Sequence, residues 1–153
     1  MSKANPIISM NRVKKSFENG TVAVKDMTID LFEGEFISFL GPSGCGKSTV
    51  LKMVSGLLRP TAGEIHIKGS DEATSDYTQD IGFVFQDSTL MPWATVQDNV
   101  YLPLRLKGIT RKKAAGEIEE ILIKVGLQDF NKSYPRELSG GMKMRVSIAR
   151  ALI

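Results

Sequence analysis

A glycine-rich segment that ends in a lysine and two hydroxyl residues is the part of this sequence best suited to chemistry. It occupies residues 41–49 and fits the pattern G-x-x-x-x-G-K-[ST]. Its glycines have no Cβ, so the backbone can take positive φ angles and turn successive N–H groups toward an anion. Lys47 can then reach the β- and γ-phosphates of a nucleoside triphosphate, and the Ser48 hydroxyl can coordinate Mg²⁺. The segment therefore predicts a nucleoside-triphosphate site.

The elements on either side of this segment give the pattern its structural context. The apolar run 36–40 precedes it and predicts a buried strand, and residues 50–58 follow it with the composition of a helix. A strand, a glycine-rich turn and a helix in this order direct the positive end of the helix dipole at a bound phosphate. A flexible glycine turn is the alternative, which the presence of both flanking elements disfavours.

The residues before this strand predict an antiparallel sheet. Residues 7–13 alternate between apolar and polar types, and an Asn-Gly pair at 19–20 favours a tight turn. Residues 22–25 and 27–31 predict two further strands. Strands joined by tight turns and followed by a buried apolar strand indicate an α/β fold, in which an antiparallel β subdomain is added to a parallel sheet.

Two more strands and a loop are predicted before residue 88. Residues 64–69 alternate between polar and apolar types, which is typical of a half-buried strand, and the polar run 70–80 predicts a surface loop. The apolar run 81–85 predicts a short strand that ends at Gln86. We therefore expect a β-rich core over residues 1–88.

Helical signals dominate residues 89–153. Thr95 can cap a helix that runs from 96 to about 107, and Thr110 can cap a second helix that ends at Gly126. A last helix is expected to start at Met142. The apolar residues of the second helix share one face, as in a helix that packs on a core: Ala114, Ile118, Ile121, Leu122 and Val125.

The composition is that of an ordinary globular protein, with 42% hydrophobic residues, 24% charged residues and a net charge of +3. The positive charge is spread along the chain, so it does not indicate nucleic-acid binding. The single cysteine, Cys45, cannot form an internal disulfide and suits a reducing compartment. No apolar run approaches the length of a membrane span and no signal peptide opens the chain, so we expect a cytosolic protein whose membrane role would require another chain.

The run 138–142, Leu-Ser-Gly-Gly-Met, is a second glycine-rich helix start. Ser139 is a good N-cap, and the two glycines would let a phosphate approach the helix N-terminus. With this run, the sequence resembles the nucleotide-binding subunit of ATP-binding cassette (ABC) transporters along its whole length. Residues 41–49 match the family's Walker A loop, Gln86 its Q-loop, and 138–142 its signature motif, which usually ends in Gln rather than Met.

The resemblance implies cofactors and site residues. It implies a fold of the P-loop NTPase class, ATP and Mg²⁺ as cofactors, and catalytic roles for Lys47 and Gln86. Mg²⁺ would be coordinated by Ser48 and Gln86. The ATP-binding residues that it implies are Phe17, which would stack on adenine, and the whole loop: Gly41, Pro42, Ser43, Gly44, Cys45, Gly46, Lys47, Ser48 and Thr49.

The resemblance also implies partners. In this family two subunits pack head to tail, so Ser139, Gly140 and Gly141 would contact the γ-phosphate of ATP held by a second subunit. Gln86 would relay the state of the nucleotide to the helical part. A transmembrane permease and a solute-binding protein would complete the transporter, with this chain as a peripheral subunit at the cytoplasmic face of the cell membrane and no nucleic-acid partner.

Residues 86–104 narrow the resemblance. Leu90, Met91 and Trp93 are large apolar side chains in a predicted loop, where they either form a partner surface or cover the core of the helical part. The Leu-Met-Pro-Trp run, together with Met142, resembles the ATPases of the nitrate, sulfonate, taurine and bicarbonate import group. We therefore expect an importer subunit that couples ATP binding and hydrolysis to the uptake of a small, oxyanionic solute.

The family pattern continues with an apolar strand that ends in Asp-Glu, the Walker B motif, and then a switch histidine, whereas this sequence stops at Ile153. We therefore expect one truncated ABC ATP-binding domain, with a nucleotide-binding core over 1–88 and a helical subdomain over 89–153. Its own hydrolysis should be very weak, since the metal-binding Asp and the water-polarising Glu are missing. The alternatives are a non-catalytic ATP-binding fragment and a soluble ABC ATPase that acts on nucleic acid or ribosomes.

Overall fold

The computed structural model describes residues 5–68 and 81–153. The chain forms two compact units. The first unit is Met1–Ile81 and the second is Gly82–Ile153. Each unit has its own buried apolar cluster. The surface loop predicted over 70–80 lies outside the described residues.

The first unit contains a three-stranded antiparallel sheet in the order β2-β1-β3. Strand β1 is Ile8–Ser16, β2 is Val22–Leu31 and β3 is Ala62–Ile67. The predicted tight turn joins β1 to β2, with Gly20 at a φ of 80°. β2 is one strand where the sequence predicted two, because the polar pair at 25–26 falls at a shift in pairing register and not at a strand end.

Helix α1, Lys47–Val54, packs on this sheet. It begins three residues before the predicted start, directly after the glycine-rich loop, and it ends before Gly56, whose φ of 72° stops a helix. The sheet and the helix share one apolar core, formed by Met10, Val13, Val24, Val50 and Met53. This core seats the start of α1 on the sheet.

Residues 36–40 and 81–85 are not strands in the structure, so both of these predictions are wrong. A strand requires a hydrogen-bonded neighbour, and none of the described strands pairs with either segment. Phe36 and Leu40 are 96% and 90% exposed. An apolar run predicts burial, but its composition cannot supply the neighbouring strand that a ladder needs.

The second unit is helical. Its helices are α2, Val96–Leu106, α3, Arg111–Lys124, and α4, Gly140–Leu152, and two 3₁₀ turns lie at Gln128–Phe130 and Pro135–Glu137. The helices enclose a buried apolar cluster to which all three contribute. Over the ranges that the structure describes, no helix has both the length and the apolar composition to span a bilayer.

The helix signals read from the sequence are largely confirmed in this unit. The Thr95 hydroxyl caps α2 by accepting the Asp98 N–H at 3.3 Å. Thr110 stands at the N-cap of α3, although its side chain makes no capping bond, and Gly126 follows that helix with a φ of 66°. The predicted apolar face of α3 packs on the core, with Val125 only partly buried.

Asp98 ties the starts of α2 and α3 together. The guanidinium of Arg111 forms an ion pair with this carboxylate, and the Thr95 hydroxyl donates to it at 2.5 Å. Burial alone would raise the pKa of Asp98, but the hydrogen bonds from Thr95 and Arg111 and the charge of Arg111 outweigh it. The pKa therefore lies below its ordinary value of 3.8.

Candidate functional site

The glycine-rich loop has a backbone geometry that only glycine adopts readily. Gly41, Gly44 and Gly46 have φ angles of 152°, 81° and 97°. A Cβ is disfavoured at such angles by contact with the backbone. The positive φ predicted from the sequence is observed at each of the three positions.

Gly46 is seated directly against β2. A Cβ at this position would lie 2.3 Å from the carbonyl oxygen of Ala23, whereas a Cβ at Gly44 would meet no atom within 4 Å. Residues 22–27 of β2 and 44–47 of the loop line a cleft of about 470 Å³. This volume lies in the range of small-molecule sites.

The ammonium group of Lys47 lies within the loop. Its Nζ donates to the carbonyl oxygens of Gly41 at 2.8 Å and Pro42 at 2.7 Å, and it lies 3.5 Å from Sγ of Cys45. An ammonium group has three donors and no acceptor, so these contacts can engage all of its protons. Phosphate oxygens would offer the same donors stronger, charge-assisted acceptors.

The N-terminus of α1 has no side-chain cap. Gly46 is the N-cap, it makes no side-chain capping bond, and the first turn contains no acidic residue. The first N–H groups of the helix therefore favour an anion, together with the positive end of the dipole. Ser48 in the same turn is exposed, and a hydroxyl oxygen is a ligand that Mg²⁺ accepts beside phosphate oxygens. The loop thus fits a nucleoside triphosphate with its metal.

Phe17 lies at the turn between β1 and β2. Its ring is 41% exposed, and Nζ of Lys15 lies 5.5 Å from the ring centroid. An exposed aromatic face can stack on a base. The adenine-stacking role stays a prediction.

The signature run is an open helix start in the second unit. The hydroxyl of Ser139 accepts the N–H of Met142 at 3.3 Å and so caps α4, as predicted. Gly140 and Gly141 are exposed, and a Cβ on either would meet nothing within 4 Å. Gln86 is exposed in the same unit. The structure thus places Phe17 and the loop 41–49 in the first unit, and Gln86 and the signature residues in the second.

Leu90, Met91 and Trp93 have three different environments. Leu90 packs against the apolar core of the second unit, Met91 is half-buried, and Trp93 is 76% exposed. Leu90 therefore covers the core, which was one of the two interpretations. Trp93 presents a large apolar ring on the surface, as the other interpretation requires.

Asn99, which sequence reasoning did not identify, holds this segment in place. Its buried side chain accepts the N–H of Met91 at 2.8 Å, and its Nδ2, which has two protons to share, lies within hydrogen-bonding distance of three carbonyl oxygens, those of Met91, Ala94 and Thr95, at 3.2, 3.1 and 3.0 Å. These contacts tie the loop before α2 to the helix itself. No sequence pattern marks such an Asn, because its partners are main-chain groups whose positions depend on the fold.

Known proteins resemble this chain in sequence and in structure. A model of the family described as ABC transporter matches residues 24–153. The aliphatic sulfonates import ATP-binding protein SsuB of Bacillus thuringiensis is 46% identical over 149 residues, which cover 95% of this chain and 57% of that protein. The nitrate import ATP-binding protein NrtD of Synechocystis is 42% identical over 146 residues, which cover 95% of this chain and 54% of that one.

A solved structure is similar along most of the chain. It is a dimeric, post-hydrolysis state of the ATP-binding cassette MJ0796 bound to ADP and Pi. The two agree with a TM-score of 0.83 at 36% identity, over 95% of this chain and 68% of that chain. The present chain spans about half the length of the curated relatives just described.

Proposed function

The chain belongs to the ABC transporter family and has the α/β fold of its ATPase domains, and we propose that it is an ATP-binding subunit of an importer. The proposed solute is small and nitrate-, sulfonate- or taurine-like. Support for this class comes from the two relatives, which are named for the import of sulfonates and of nitrate. The observation that carries ATP binding is the loop 41–49, with its positive-φ glycines and uncapped helix start.

Each proposed contact uses a group whose environment suits it. The N–H groups of the loop and of the first turn of α1 surround the phosphates, and Lys47 exchanges its carbonyl acceptors for phosphate oxygens. Phe17 stacks on adenine. Ser48 and Gln86 coordinate Mg²⁺, which supplies charge neutralisation at the phosphates when it is bound. Lys47 and Gln86 are the proposed catalytic residues in the hydrolysis of ATP.

We propose that a second copy completes the site. Ser139, Gly140 and Gly141 of one copy would contact the γ-phosphate of ATP held by the other. The open space around both glycines supports this contact, and so does the dimeric state of the MJ0796 structure. In this proposal residues 1–88 form the nucleotide core and 89–153 the helical subdomain, and a permease and a solute-binding protein complete the transporter at the cytoplasmic face of the membrane.

The test of nucleotide binding compares two lysines of the same helix. Lys47→Ala removes the ammonium group from the loop, whereas Lys52→Ala removes an exposed ammonium group from the last turn of α1. We expect Lys47→Ala to weaken Mg-ATP binding by about 10- to 100-fold, because it removes charge-assisted hydrogen bonds to phosphate, and Lys52→Ala to leave it nearly unchanged. Isothermal titration calorimetry measures both. Equal affinities in the two variants would refute the assignment.

The importer role has a separate test. A tagged copy of the chain, expressed in its source cells, is purified from detergent-solubilised membranes and from the soluble fraction. Recovery of a polytopic permease from the membranes is the expected result. Recovery of ribosomes or nucleic acid in its place would contradict the importer role and leave the nucleotide site intact.

A further inference from the structure

Segment 82–89, which contains Gln86, lies along the C-terminal half of α4. At the beginning of the segment, a Cβ on Gly82 would lie 2.4 Å from the carbonyl oxygen of Ala151. The two backbones are therefore in direct contact at this point, and only glycine allows this approach. The end of the segment is also held by α4, through side chains.

Ser147 and Arg150, about one turn apart on α4, hold the end of this segment. Ser147 is buried, and its Oγ donates to the carbonyl oxygen of Ser88 at 2.5 Å. The carbonyl of Lys143 in its own helix is a competing acceptor at 3.3 Å, so the closer contact favours Ser88. Arg150 donates to both oxygens of Thr89, the carbonyl at 3.1 Å and the hydroxyl at 3.0 Å.

The contact between Arg150 and Thr89 holds an unusual backbone conformation. Thr89 has a φ of 41°, in the left-handed region that a β-branched residue rarely adopts. Arg150 is half-buried, burial lowers its pKa, and in the ranges 5–68 and 81–153 no carboxylate lies within 4 Å of its guanidinium. A charge withdrawn from water needs acceptors, and Thr89 supplies two of them. The strained residue is thus held by both of its oxygens.

Gln86 lies between these two attachments. It is exposed, as is Asp87, and in the part of the chain that the structure describes no side-chain hydrogen bond restrains either residue. The place of Gln86 is therefore set by its anchored neighbours. The anchoring helix is also the one that begins at the signature glycines, and its 13 residues make it about 20 Å long.

We propose that Ser147 and Arg150 are positioning residues that fix the Gln86 segment to α4. The segment that contains Gln86 is then held against the C-terminal half of α4, whose N-terminus is the signature turn 139–141, and a displacement of the segment reorients that turn. The consequence for nucleotide sensing rests on the function proposed above. The anchoring itself rests on contacts within the second unit alone.

Limited digestion with chymotrypsin, followed by mass spectrometry, tests the anchoring on the full chain. Arg150→Ala removes both bonds to Thr89, whereas Arg145→Ala removes bonds from the same helix to two other carbonyls, those of Val125 and Gly126, and serves as the matched control. We expect Arg150→Ala to speed chymotryptic cleavage after Phe85 by about tenfold or more, because two bonds from a charged donor are removed and the loss of one alone corresponds to about tenfold. Arg145→Ala should leave the rate of this cleavage within about twofold. Equal cleavage rates in the two variants would overturn the anchoring.

The second measurement is hydrogen exchange, followed by mass spectrometry, with and without saturating Mg-ATP. In the unaltered chain, Mg-ATP should change the exchange rates of amides 139–145. Arg150→Ala should bind Mg-ATP with unchanged affinity but show no such change, whereas general destabilisation would also lower the affinity. The transmission is refuted if Arg150→Ala still shows the change at 139–145, or if the unaltered chain binds Mg-ATP without showing it. If Arg150→Ala does not fold, Ser147→Ala decides, since it removes the bond to the Ser88 carbonyl and should likewise speed cleavage after Phe85, whereas an unaltered rate would overturn the anchoring. If the unaltered chain does not bind Mg-ATP, the proposed function fails, while cleavage after Phe85 still decides the anchoring.

Discussion

Alanine in place of Gly46 should destabilise the first unit much more than alanine in place of Gly44. Both glycines belong to the same loop and both have positive φ, at 97° and 81°. They differ in what a Cβ would meet, which is the Ala23 carbonyl oxygen at 2.3 Å for Gly46 and open space for Gly44. The pair therefore separates backbone strain from steric overlap.

The expected magnitudes follow from these two terms. A left-handed backbone costs a residue with a Cβ about 1–2 kcal/mol. Replacing glycine with alanine also restricts the unfolded chain, which stabilises the folded state by about 0.4–1 kcal/mol. Gly44→Ala should thus lower the free energy of unfolding by about 1 kcal/mol. Gly46→Ala adds an overlap with main chain that no side-chain rotation can relieve, and overpacking of this kind costs about 1–3 kcal/mol more. Its total cost should be about 2–4 kcal/mol.

Urea denaturation followed by far-ultraviolet circular dichroism measures both variants. The expected result is a clearly lower midpoint for Gly46→Ala with an unchanged slope, and a small shift for Gly44→Ala. Midpoints that agree within error would refute the reasoning, since they would mean that the loop does not rest on β2 in solution. Mg-ATP affinity provides an independent check, and Gly46→Ala should lose more of it because the start of α1 must shift.

Three further changes test the second unit. Replacing Asn99 with Ala removes the partner of the Met91 N–H and of the Ala94 carbonyl, whereas the carbonyls of Met91 and Thr95 keep main-chain donors. The change should cost about 2–4 kcal/mol, read from the urea midpoint of Trp93 fluorescence, and a loss below about 1 kcal/mol would contradict the contacts. Since the pKa of Asp98 is lowered, its charge stabilises the fold above its ordinary value of 3.8, and this contribution is lost as the pH falls through the lower folded-state pKa. Asp98→Asn should abolish that part of the acid dependence of the urea midpoint, and an unchanged dependence would be evidence against it. Ser139→Ala removes the cap of α4 and should cost about 1 kcal/mol, seen as faster exchange of the first amides of that helix, whereas unaltered exchange would exclude the cap.

The features predictable from sequence were those whose physical cause is local. Thr95 caps α2 because a hydroxyl at that position reaches an N–H three residues on, and Gly126 ends α3 because only glycine takes its φ without strain. The positive φ angles of the loop 41–46 belong to the same class. In each case the residue type and its neighbours determine the conformation, whatever the rest of the chain does.

The features that escaped prediction depend on distant residues. Ser147 reaches a carbonyl 59 residues earlier in the chain, and Arg150 reaches one 61 residues earlier. Neither contact can be predicted from the sequence, because each involves a main-chain oxygen whose position depends on the fold. The wrong strand prediction at 36–40 has the same origin. An apolar composition favours burial, but it does not show whether a neighbouring strand is present to form hydrogen bonds with the segment.

The starts of the helices explain why a site made from two copies is physically reasonable. The N-terminus of α2 is satisfied internally, by the Thr95 cap and by Asp98 in its first turn. Neither α1 nor α4 has an acidic residue in its first turn, so both keep a positive end available to an anion. α1 adds the ammonium of Lys47 to an uncapped start, whereas α4 already uses the Ser139 hydroxyl on one of its N–H groups. α1 therefore offers a phosphate more donors than α4 does, which accords with the proposal that α4 of one copy contacts a phosphate that α1 of the other copy holds.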